Sequence, residues 1–432
     1  MLKKIKNIIL QIDRFFYKKF RSDKSTKTLQ NISEAHIIFS ILNEIGKDTK
    51  VRFVGGCVRK AICGENITDI DLATSLEPSE VKRKLKKEDI EVIDTGISHG
   101  TVTALLNKKI FEITTLREDL STDGRHANVK FTTSWDKDAL RRDFTINAIY
   151  ADIEGRIFDP LNGMEDLKNG KVKFIGSIEK RIQEDYLRIL RYFRFFTEYS
   201  KTDHDQDSIR FIKQNINGLN NISNERILSE LKKILTIHNI NSLLSNSISN
   251  KILQNIFPQL KYYERLKIIN NLNKKIKKKY DKILILALLI LDESNSYEYF
   301  CHKYKTSNNI KNRLENISKN YLSLKDNNFA SKENIEKAIY LSNKDYVLDL
   351  LLFSICVNKK IRNLDLNKLT NYINTYKVPI FPITGEYLKK HGYKTGKILG
   401  EKLKFLEKMW VENNFIIDKK EVLKSLNKKN KN

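Results

Sequence analysis

The spacing of apolar residues changes near residue 178, and that change limits the folds open to this chain. Before residue 178, short β-branched and aromatic runs alternate with amphipathic segments, a pattern typical of a domain that combines a sheet with helices. Beyond it, apolar residues recur at helical spacing almost to the end, and the whole chain has five prolines. The sequence therefore predicts an α+β domain followed by an all-α remainder. In the first part, the predicted strands are 51–54, 70–73, 91–93, 101–106, 110–115 and 129–132, and the predicted helices are 32–45, 79–85 and 139–148.

Basic residues greatly outnumber acidic ones. The 432 residues include 79 Lys and Arg against 53 Asp and Glu, a formal net charge of +26, and the isoelectric point is near 9.6. So large an excess favours a polyanionic partner, nucleic acid more than a membrane surface. A bias in base composition is the alternative, because Lys, Asn and Ile are abundant throughout. The charge thus supports RNA binding but does not prove it.

Cysteine usage and hydropathy bear on the compartment. Four cysteines are scattered without a Cys-x-x-Cys pair, which is typical of reduced thiols in the cytoplasm. The longest apolar run, 283–291, is far shorter than the ~20 residues that cross a bilayer. Residues 1–20 place apolar side chains at helical spacing among lysines, which predicts a basic amphipathic helix within 1–30. We interpret it as an extra helix packed on the first domain; a surface-binding helix, or a transit segment that would place the protein in an organelle matrix, is the alternative.

A paired-glycine turn follows the first predicted strand. Gly55 and Gly56 free the backbone to turn tightly, and the apolar spacing after them predicts that a helix begins there. Backbone N–H groups at a helix N-terminus, together with the helix dipole, favour an anion. Arg59, in the first turn, adds a permanently charged and bidentate donor. The segment therefore predicts a phosphate site that includes Gly56 and Arg59, although an isolated Gly-Gly pair is usually only a turn.

Two carboxylates follow ten residues after Arg59. Asp69 and Asp71 point to the same face of their predicted strand, because side chains alternate, while Ile70 and Leu72 point into the core. Like charges on one face repel unless a cation lies between them, and Mg²⁺ prefers such hard oxygen ligands. Asp69 and Asp71 are therefore the predicted catalytic, metal-binding residues. An isolated Asp-x-Asp pair also occurs by chance on surface strands, so the specific signal is its order and spacing after the Gly-Gly turn.

These two motifs resemble a known family. Gly55-Gly56-x-Val58-Arg59 and Asp69-x-Asp71-x-Ala73-Thr74 are similar to the head signature of the class II tRNA nucleotidyltransferases (CCA-adding enzymes) and the related bacterial poly(A) polymerases. The resemblance is strong over 51–235, weak through the middle and fair over 381–408. It implies Mg²⁺-dependent, template-independent addition of C-C-A to the tRNA 3′ end from CTP and ATP.

The resemblance also implies an architecture. A small mixed-sheet nucleotidyltransferase head of the polymerase-β-like type is expected to precede an all-α neck, body and tail. The expected boundaries are 1–30 for the N-terminal helix, 31–170 for the head, 171–245 for the neck, 246–375 for the body and 376–432 for an RNA-binding tail. Residues 159–167, with Pro160 and Gly163, resemble the hinge motif that joins head to neck.

A second family motif matches residues 141–148, which begin Arg141-Arg142-Asp143. Adjacent arginines of a helix point in different directions, so only one can readily face the site. The resemblance implies that Arg142 contacts the nucleotide triphosphate, and Asp143 is expected to orient an arginine or to cap the helix. Without the other motifs, a surface arginine pair would be the favoured interpretation.

Two further features of the head bear on the metal and the product. If the strand around Glu112 lies beside that of Asp69 and Asp71, Glu112 completes a carboxylate trio, a point that the sequence leaves open. The polar segment 118–127, which contains Gly124, looks like the mobile loop of CCA-adding enzymes. This loop is shortened in enzymes that add only the two cytidines, so its full length here favours a complete C-C-A product.

Residues 184–195 carry the most specific motif outside the head. On one helix, Asp185, Arg188 and Arg191 follow at three-residue intervals with Arg194 one turn further, which makes a single polar stripe. A merely solvated helix face is the alternative, but such faces rarely carry only arginine in this register. In the family, the residues that match Asp185 and Arg188 select CTP and ATP by their Watson–Crick edges. A carboxylate accepts from an exocyclic amino group and a guanidinium donates to a ring nitrogen or carbonyl, while Arg191 and Arg194 are expected to support this template or the phosphates.

The sequence departs from the family pattern at one position and leaves several rival functions. Lys60 stands where the family usually has an acidic residue; activity is expected to survive, but the orientation of Arg59 is less certain. A bacterial-type poly(A) polymerase shares every head motif, and the intact loop around Gly124 argues against it. An enzyme that adds only C-C or only A is a further rival, and so is a catalytically inactive RNA-binding protein. The sequence does not reveal the oligomeric state.

Overall fold

The computed structural model describes residues 20–22, 26–43, 49–96, 100–122, 127–236, 238, 245–321 and 327–417. The chain divides into two compact units, Met1–Ile234 and Leu235–Asn432. Most of the predicted N-terminal helix lies outside the described residues. The described part of that segment contains a strand, β1 (Phe20–Ser22), and a short helix, α1 (Lys27–Gln30). The finer boundaries at 170, 245 and 375 stay predictions.

A mixed sheet forms the centre of the first unit. Besides β1, its described strands are β2 (Val51–Val54), β3 (Ile70–Thr74), β4 (Glu91–Gly96), β5 (Thr101–Leu106), β6 (Lys109–Thr115), β7 (Arg117–Thr122), β8 (Ala127–Phe131), β9 (Tyr150–Ala151) and β10 (Arg156–Phe158). Eight of the described strands pair in the order β1-β10-β9-β2-β3-β6-β5-β4, and β7 pairs with β8 as a separate hairpin. β3 and β6 run parallel, which places Asp71 beside Glu112. The other described pairs are antiparallel.

All six predicted strands are present, with ends that differ by at most three residues. The four strands that were not predicted are β1, β7, β9 and β10. β1, β9 and β10 are two or three residues long, too short for an alternating pattern to be recognised. β7 and β8 take up most of the segment predicted as a loop; residues 123–126, including Gly124, lie outside the described residues.

Helices cover the sheet and continue beyond it. The further described helices of the first unit are α2 (Ser33–Leu42), α3 (Gly56–Cys63), α4 (Pro78–Lys87), α5 (Trp135–Leu140), α6 (Gly163–Lys168), α7 (Ile178–Glu184), α8 (Arg188–Tyr199), α9 (Gln206–Asn215) and α10 (Asn224–Ile234). Phe53, Leu72 and Phe111 of the sheet are fully buried, and burial of each such side chain contributes about 1.5–3 kcal/mol. α3 packs against β2 and β3, so the core holds the Gly-Gly turn against the strand that precedes it and the strand of Asp71.

The predicted helix over 139–148 is wrong. α5 ends at Leu140, and a 3₁₀ turn, Thr145–Asn147, follows a non-helical stretch. Phe144 is extended, with φ −128° and ψ 149°, and its ring lies 4.7 Å from that of Phe174. The Asp143 carboxylate accepts from the Phe144 backbone N–H at 2.9 Å. Such a local side-chain bond competes with helix formation, so Arg142 lies after a helix and not within one.

Helices make up the described part of the second unit. They are α11 (Ser247–Ile256), α12 (Glu264–Asn270), α13 (Lys274–Lys277), α14 (Lys282–Ile290), α15 (Ser296–Lys303), α16 (Asn308–Lys319), α17 (Lys332–Leu341), α18 (Lys344–Val357), α19 (Lys359–Arg362), α20 (Leu366–Thr375), α21 (Gly385–Lys390) and α22 (Lys397–Glu412). α18 packs against α12, α14, α16, α17 and α20. Residues 284–290 of α14 are buried, as expected for a core helix. No helix in the described ranges is long and apolar enough to cross a membrane. The predicted α+β head with an all-α remainder is confirmed.

Candidate active site

The Gly55-Gly56 turn lies between two predicted site residues. Gly55 has φ +68°, a backbone conformation that residues with a side chain rarely adopt. A Cβ built on Gly55 would lie 3.8 Å from Nη1 of Arg142, and one built on Gly56 would lie 3.6 Å from Oδ2 of Asp71. The first turn of α3 is therefore flanked by a guanidinium on one side and a carboxylate on the other, an arrangement suited to a phosphate with a bound cation.

Negative charge is concentrated around Asp71. Asp71 lies on β3 beside Glu112 of β6, and Asp69 immediately precedes β3. Burial raises the pKa of Asp71 to about 6; the negative charges of Glu112 and Asp69 add to the rise, and Arg142 and Arg59 partly oppose it. Ile70 and Leu72 are buried, so the predicted alternation along this strand is confirmed. A carboxylate whose ionised form is disfavoured in this way is stabilised by a cation.

The donor set fits a divalent metal ion. Mg²⁺ is usually bound by one or two carboxylates plus substrate phosphates, and Asp69 and Asp71 supply such a pair next to the turn. Within the described ranges, no group of three or more His, Cys, Asp or Glu side chains is arranged to hold a metal. The pairing of β3 with β6 places Glu112 beside Asp71, as a third metal ligand would require. Glu112, Asp69 and Asp71 are nevertheless not arranged as a three-residue metal site. The role of Glu112 as a ligand stays a prediction.

Lys60 lies close to the other predicted metal ligand. Its Nζ donates to Oγ1 of Thr68 at 3.1 Å, and that hydroxyl donates to Oδ2 of Asp69 at 3.1 Å. A single hydroxyl therefore separates the lysine from the Asp69 carboxylate. The departure from the family pattern at this position adds positive charge near the carboxylate pair.

Arg142 is held beside the turn by a buried acid. Its Nη2 donates to Oδ2 of Asp138 at 3.0 Å, and its Nε donates to Oη of Tyr150 at 3.1 Å. Asp138 is 1% exposed and also accepts from Nε of Arg141 at 2.8 Å. Burial alone would raise the pKa of Asp138, but the guanidiniums of Arg142 and Arg141 hold it well below its usual range. These contacts fix the Arg142 guanidinium beside the Gly55-Gly56 turn, and its contact with a triphosphate stays a prediction.

Arg59 has partners other than the predicted phosphate. Its side chain is buried, with 5% of the residue exposed, and Nη1 donates to Oδ1 of Asn147. Its guanidinium carbon lies 4.6 Å from the ring centroid of Phe195 and 5.0 Å from that of Tyr199. A direct phosphate contact would require Arg59 to leave these partners. The geometry favours a role in joining α3 to α8, and the phosphate contact stays a prediction.

Asp143 orients Arg191, which agrees with the expectation that it orients an arginine and not with the alternative that it caps a helix. Its Oδ2 accepts from Nε of Arg191 at 2.7 Å, and its Oδ1 accepts from Nδ2 of Asn147 at 2.8 Å. Burial alone would raise the pKa of Asp143, but the Arg191 charge and the Asn147 hydrogen bond lower it to about 2. Because Asn147 also accepts from Arg59, one chain of hydrogen bonds links α3, the segment after α5 and α8.

Arg191 and Arg194 support the helix that carries them. Nε of Arg194 donates to Oε2 of Glu230 on α10 at 2.8 Å. The guanidinium carbons of Arg191 and Arg194 lie 5.5 Å and 4.1 Å from the ring centroid of Phe195. Both arginines therefore have intramolecular partners, which agrees with the expected supporting role; contact with phosphate stays a prediction.

Asp185 and Arg188 do not lie on one helix, so the prediction of a single helix over 184–195 is wrong. α7 ends at Glu184 and α8 begins at Arg188. Between them, Asp185 is extended, with φ −153° and ψ 102°. Its Oδ1 accepts from the backbone N–H of Leu187 at 3.1 Å, and this local bond replaces continued helix.

Both predicted base-selecting side chains are held by neighbours. Nη1 of Arg188 donates to Oε2 of Glu184 at 2.6 Å and to the carbonyl oxygen of Arg181 at 2.9 Å. Oδ2 of Asp185 accepts from Nη2 of Arg226 at 2.9 Å. The two side chains therefore have defined orientations without a nucleotide.

Sequence interpretation assigned no role to several of these partners. Glu184 lies within the 184–195 motif, so its place in that motif was a usable signal, whereas Arg226 lies outside the motifs described above. Asp138 precedes its motif, and only its spacing of four residues before Arg142 marks it as a partner. Asn147 and Phe195 are far from Arg59 in sequence, and no local pattern indicates their contacts.

Two family models match the chain. The model described as "Poly A polymerase head domain" matches residues 51–173. The model described as "Probable RNA and SrmB-binding site of polymerase A" matches residues 205–264. The first match covers the mixed sheet together with the Gly-Gly turn, the carboxylate pair and Arg142, and these features define the protein as a nucleotidyltransferase.

Relatives along most of the chain define the family more closely. The mitochondrial CCA tRNA nucleotidyltransferase 1 of Mus musculus is 36% identical over 386 residues, which cover 88% of this chain and 87% of that protein. The CCA-adding enzyme of Lactobacillus helveticus is 31% identical over 375 residues, which cover 84% of this chain and 88% of that protein. The chain belongs to the family of CCA tRNA nucleotidyltransferases, and the predicted family, enzyme class and CCA-adding function are confirmed.

Solved structures agree with the fold. The CCA-adding enzyme of Bacillus stearothermophilus in complex with CTP has a TM-score of 0.70 at 24% identity, and the match covers 92% of this chain and 97% of that chain. The Thermotoga maritima enzyme complexed with tRNA has a TM-score of 0.62 at 21% identity, with 94% and 98% covered. These structural neighbours have the polymerase-β-like fold, as predicted for the head. Nucleotidyltransferases of this family generally use divalent metal ions.

Proposed function

We propose that this enzyme uses CTP and ATP to build C-C-A on the tRNA 3′ end, with Mg²⁺ held by Asp69 and Asp71. The observation that carries the proposal is the position of the Gly55-Gly56 turn, where a Cβ built on Gly55 would contact Arg142 and one built on Gly56 would contact Asp71. The solved relatives include complexes with CTP, ATP and tRNA, which are the partners proposed here.

The carboxylate pair and the turn have distinct tasks in this reaction. The 3′ hydroxyl oxygen of the tRNA attacks the α-phosphorus of the nucleotide, and pyrophosphate leaves. Asp69 and Asp71 would hold Mg²⁺, which would activate the hydroxyl and neutralise the phosphate charge. The N–H groups at the start of α3 from Gly56 onward, together with Arg142, hold the triphosphate. Arg59 fixes α3 against α8 and so positions those N–H groups.

Asp185 and Arg188 select the base. The Asp185 carboxylate accepts from the exocyclic amino group of cytosine or adenine, and the Arg188 guanidinium donates to a ring nitrogen or carbonyl. UTP and GTP present the wrong donor and acceptor pattern. A mismatch leaves a charged group without its partner, which costs about 1–3 kcal/mol or more. Arg191 and Arg194 hold α8, which carries Arg188, through Asp143 and Glu230.

In the experiment, purified protein is incubated with a tRNA that lacks its last three nucleotides and with CTP and ATP, one of which is labelled. Two C additions followed by one A are expected. Many A additions without C would indicate a poly(A) polymerase, C-C or A alone would indicate a partial enzyme, and no incorporation of either nucleotide would favour an RNA-binding protein.

The matching residue test replaces Asp71 with alanine. This variant is expected to lose incorporation with Mg²⁺. Asp207→Ala, which removes an exposed acid paired with Arg210, is expected to keep wild-type activity. Incorporation by Asp71→Ala at the wild-type rate would contradict the metal assignment.

Two cellular compartments are proposed for this enzyme. The cytoplasm is the predicted compartment, and the matrix of an organelle is the alternative if residues 1–30 act as a transit segment. The mouse, zebrafish and human relatives are named as mitochondrial proteins, which supports the alternative. Fractionation of cells that express the full chain, with and without residues 1–25, distinguishes the two.

A further inference from the structure

We propose that Arg226 is a specificity-determining positioning residue, because its guanidinium fixes the Asp185 carboxylate in the orientation that accepts an amino group and repels a carbonyl. This inference rests on the base-selecting role proposed for Asp185. Arg226 belongs to α10, not to the 184–195 motif, and it contacts Asp185 from outside that motif.

Two donors from different elements hold the two oxygens of Asp185. Nη2 of Arg226 donates to Oδ2 at 2.9 Å, and the backbone N–H of Leu187 donates to Oδ1 at 3.1 Å. The Asp185 side chain is 20% exposed and that of Arg226 is 31% exposed, so the pair is partly shielded from water. Because one donor lies on α10 and the other at the start of α8, the carboxylate plane cannot rotate without breaking one of the bonds.

The ion pair leaves Asp185 able to bind a base. Each carboxylate oxygen has about two acceptor sites, and each oxygen has one donor in the bonds described above. An amino group of cytosine or adenine therefore still finds an acceptor. Arg226 orients Asp185 and does not replace the nucleotide.

A fixed carboxylate affects the wrong base more than the right one. An amino group attracts the carboxylate and can draw it into place even when it is mobile. The carbonyl oxygen of uracil has no such attraction, and a mobile carboxylate can turn away from it. Loss of the Arg226 contact is therefore expected to reduce the repulsion of UTP more than it weakens the binding of CTP. Arg188 is unaffected directly, because Glu184 and the Arg181 carbonyl hold it.

The test compares Arg226→Gln with Arg210→Gln, a matched arginine of the neighbouring helix α9 whose ion pair with Asp207 is exposed. The kcat/KM values for CTP and UTP are measured for the first addition to a tRNA that lacks C-C-A, together with equilibrium binding of each nucleotide. Arg226→Gln is expected to lower the CTP-to-UTP ratio roughly tenfold, and Arg210→Gln is expected to leave it unchanged. Arg226→Lys, which keeps a charged donor, is expected to recover part of the ratio.

A lower rate with an unchanged CTP-to-UTP ratio in Arg226→Gln would overturn the proposal and leave Arg226 a purely structural residue. Arg226→Met keeps the apolar stem and serves if the Gln variant unfolds; an unchanged ratio in this variant would overturn the proposal equally. In an Asp185→Asn background, removal of Arg226 is expected to cause no further loss of selectivity, and an additive loss would contradict action through Asp185. Failure of the wild-type protein to incorporate CTP or ATP would instead contradict the proposed function itself.

Discussion

Replacement of Asp71 by asparagine is expected to stabilise the fold at neutral pH and to abolish nucleotide addition. Burial, with Glu112 and Asp69 nearby, raises the pKa of Asp71 from 3.8 to about 6. A carboxyl group with a higher pKa in the folded state binds its proton more tightly there, so its ionised form opposes folding. A difference of about two pKa units corresponds to about 3 kcal/mol. Asparagine removes this charge and keeps the size of the side chain.

The pH dependence follows from the sign of the shift. Above a pH of about 6, Asp71 is ionised in both states and the full cost to the wild-type fold is present. As the pH falls from about 6 toward the ordinary value of 3.8, the folded state takes up a proton before the unfolded state does, and the cost disappears. The advantage of Asp71→Asn is therefore expected to be about 2–3 kcal/mol near neutral pH and to shrink toward zero near the lower value.

Guanidinium unfolding with EDTA present measures this difference. Fluorescence of Trp135 reports on the first unit in a Trp410→Phe background, which avoids treating the two compact units as one transition. Asp207→Asn, whose side chain is 61% exposed, serves as the control and is expected to show no difference. Added Mg²⁺ is expected to stabilise the wild type and not Asp71→Asn. A variant no more stable than wild type at neutral pH, or an advantage that grows as the pH falls, would refute the electrostatic account of this site.

Two further predictions concern residues that keep the head in shape, and guanidinium unfolding checks both. Asp138→Asn removes a buried partner of Arg142 and is expected to lower the free energy of unfolding by about 3 kcal/mol, whereas Asp207→Asn is expected to change it by less than about 0.5 kcal/mol; equal effects would contradict the buried network. Gly163→Ala would place a Cβ against a backbone carbonyl of the 3₁₀ turn and is expected to cost about 2 kcal/mol. A Cβ at Gly400, inside α22, would meet open space, so Gly400→Ala is expected to raise the free energy of unfolding by up to about 1 kcal/mol. A higher free energy of unfolding in Gly163→Ala would contradict the packing at the predicted hinge.

Local patterns were sufficient for the strand of Asp69 and Asp71. Alternation along residues 69–72 predicted which side chains face the core, and Ile70 and Leu72 are buried there. The paired glycines after β2 predicted the turn before α3, and Gly55 has φ +68° there. Both results depend on neighbours in sequence, which is why one sequence was enough to predict them.

Contacts over long sequence separations could not be predicted in this way. Arg59 lies 88 residues from Asn147, and its spacing resembled that of a phosphate ligand. The single helix over 184–195 failed for a local reason, because the Asp185 side chain bonds to the backbone two residues later. Helical periodicity reflects side-chain spacing alone and cannot show that such a bond interrupts the helix.

The most direct test of the central claim reads the 3′ ends of a tRNA that lacks C-C-A after incubation with the purified protein, Mg²⁺ and all four nucleoside triphosphates together. Sequencing of the products is expected to show C-C-A as the added sequence, with no further nucleotides. Tails of repeated A, or U and G among the added nucleotides of the wild-type enzyme, would contradict selection of CTP and ATP through Asp185 and Arg188.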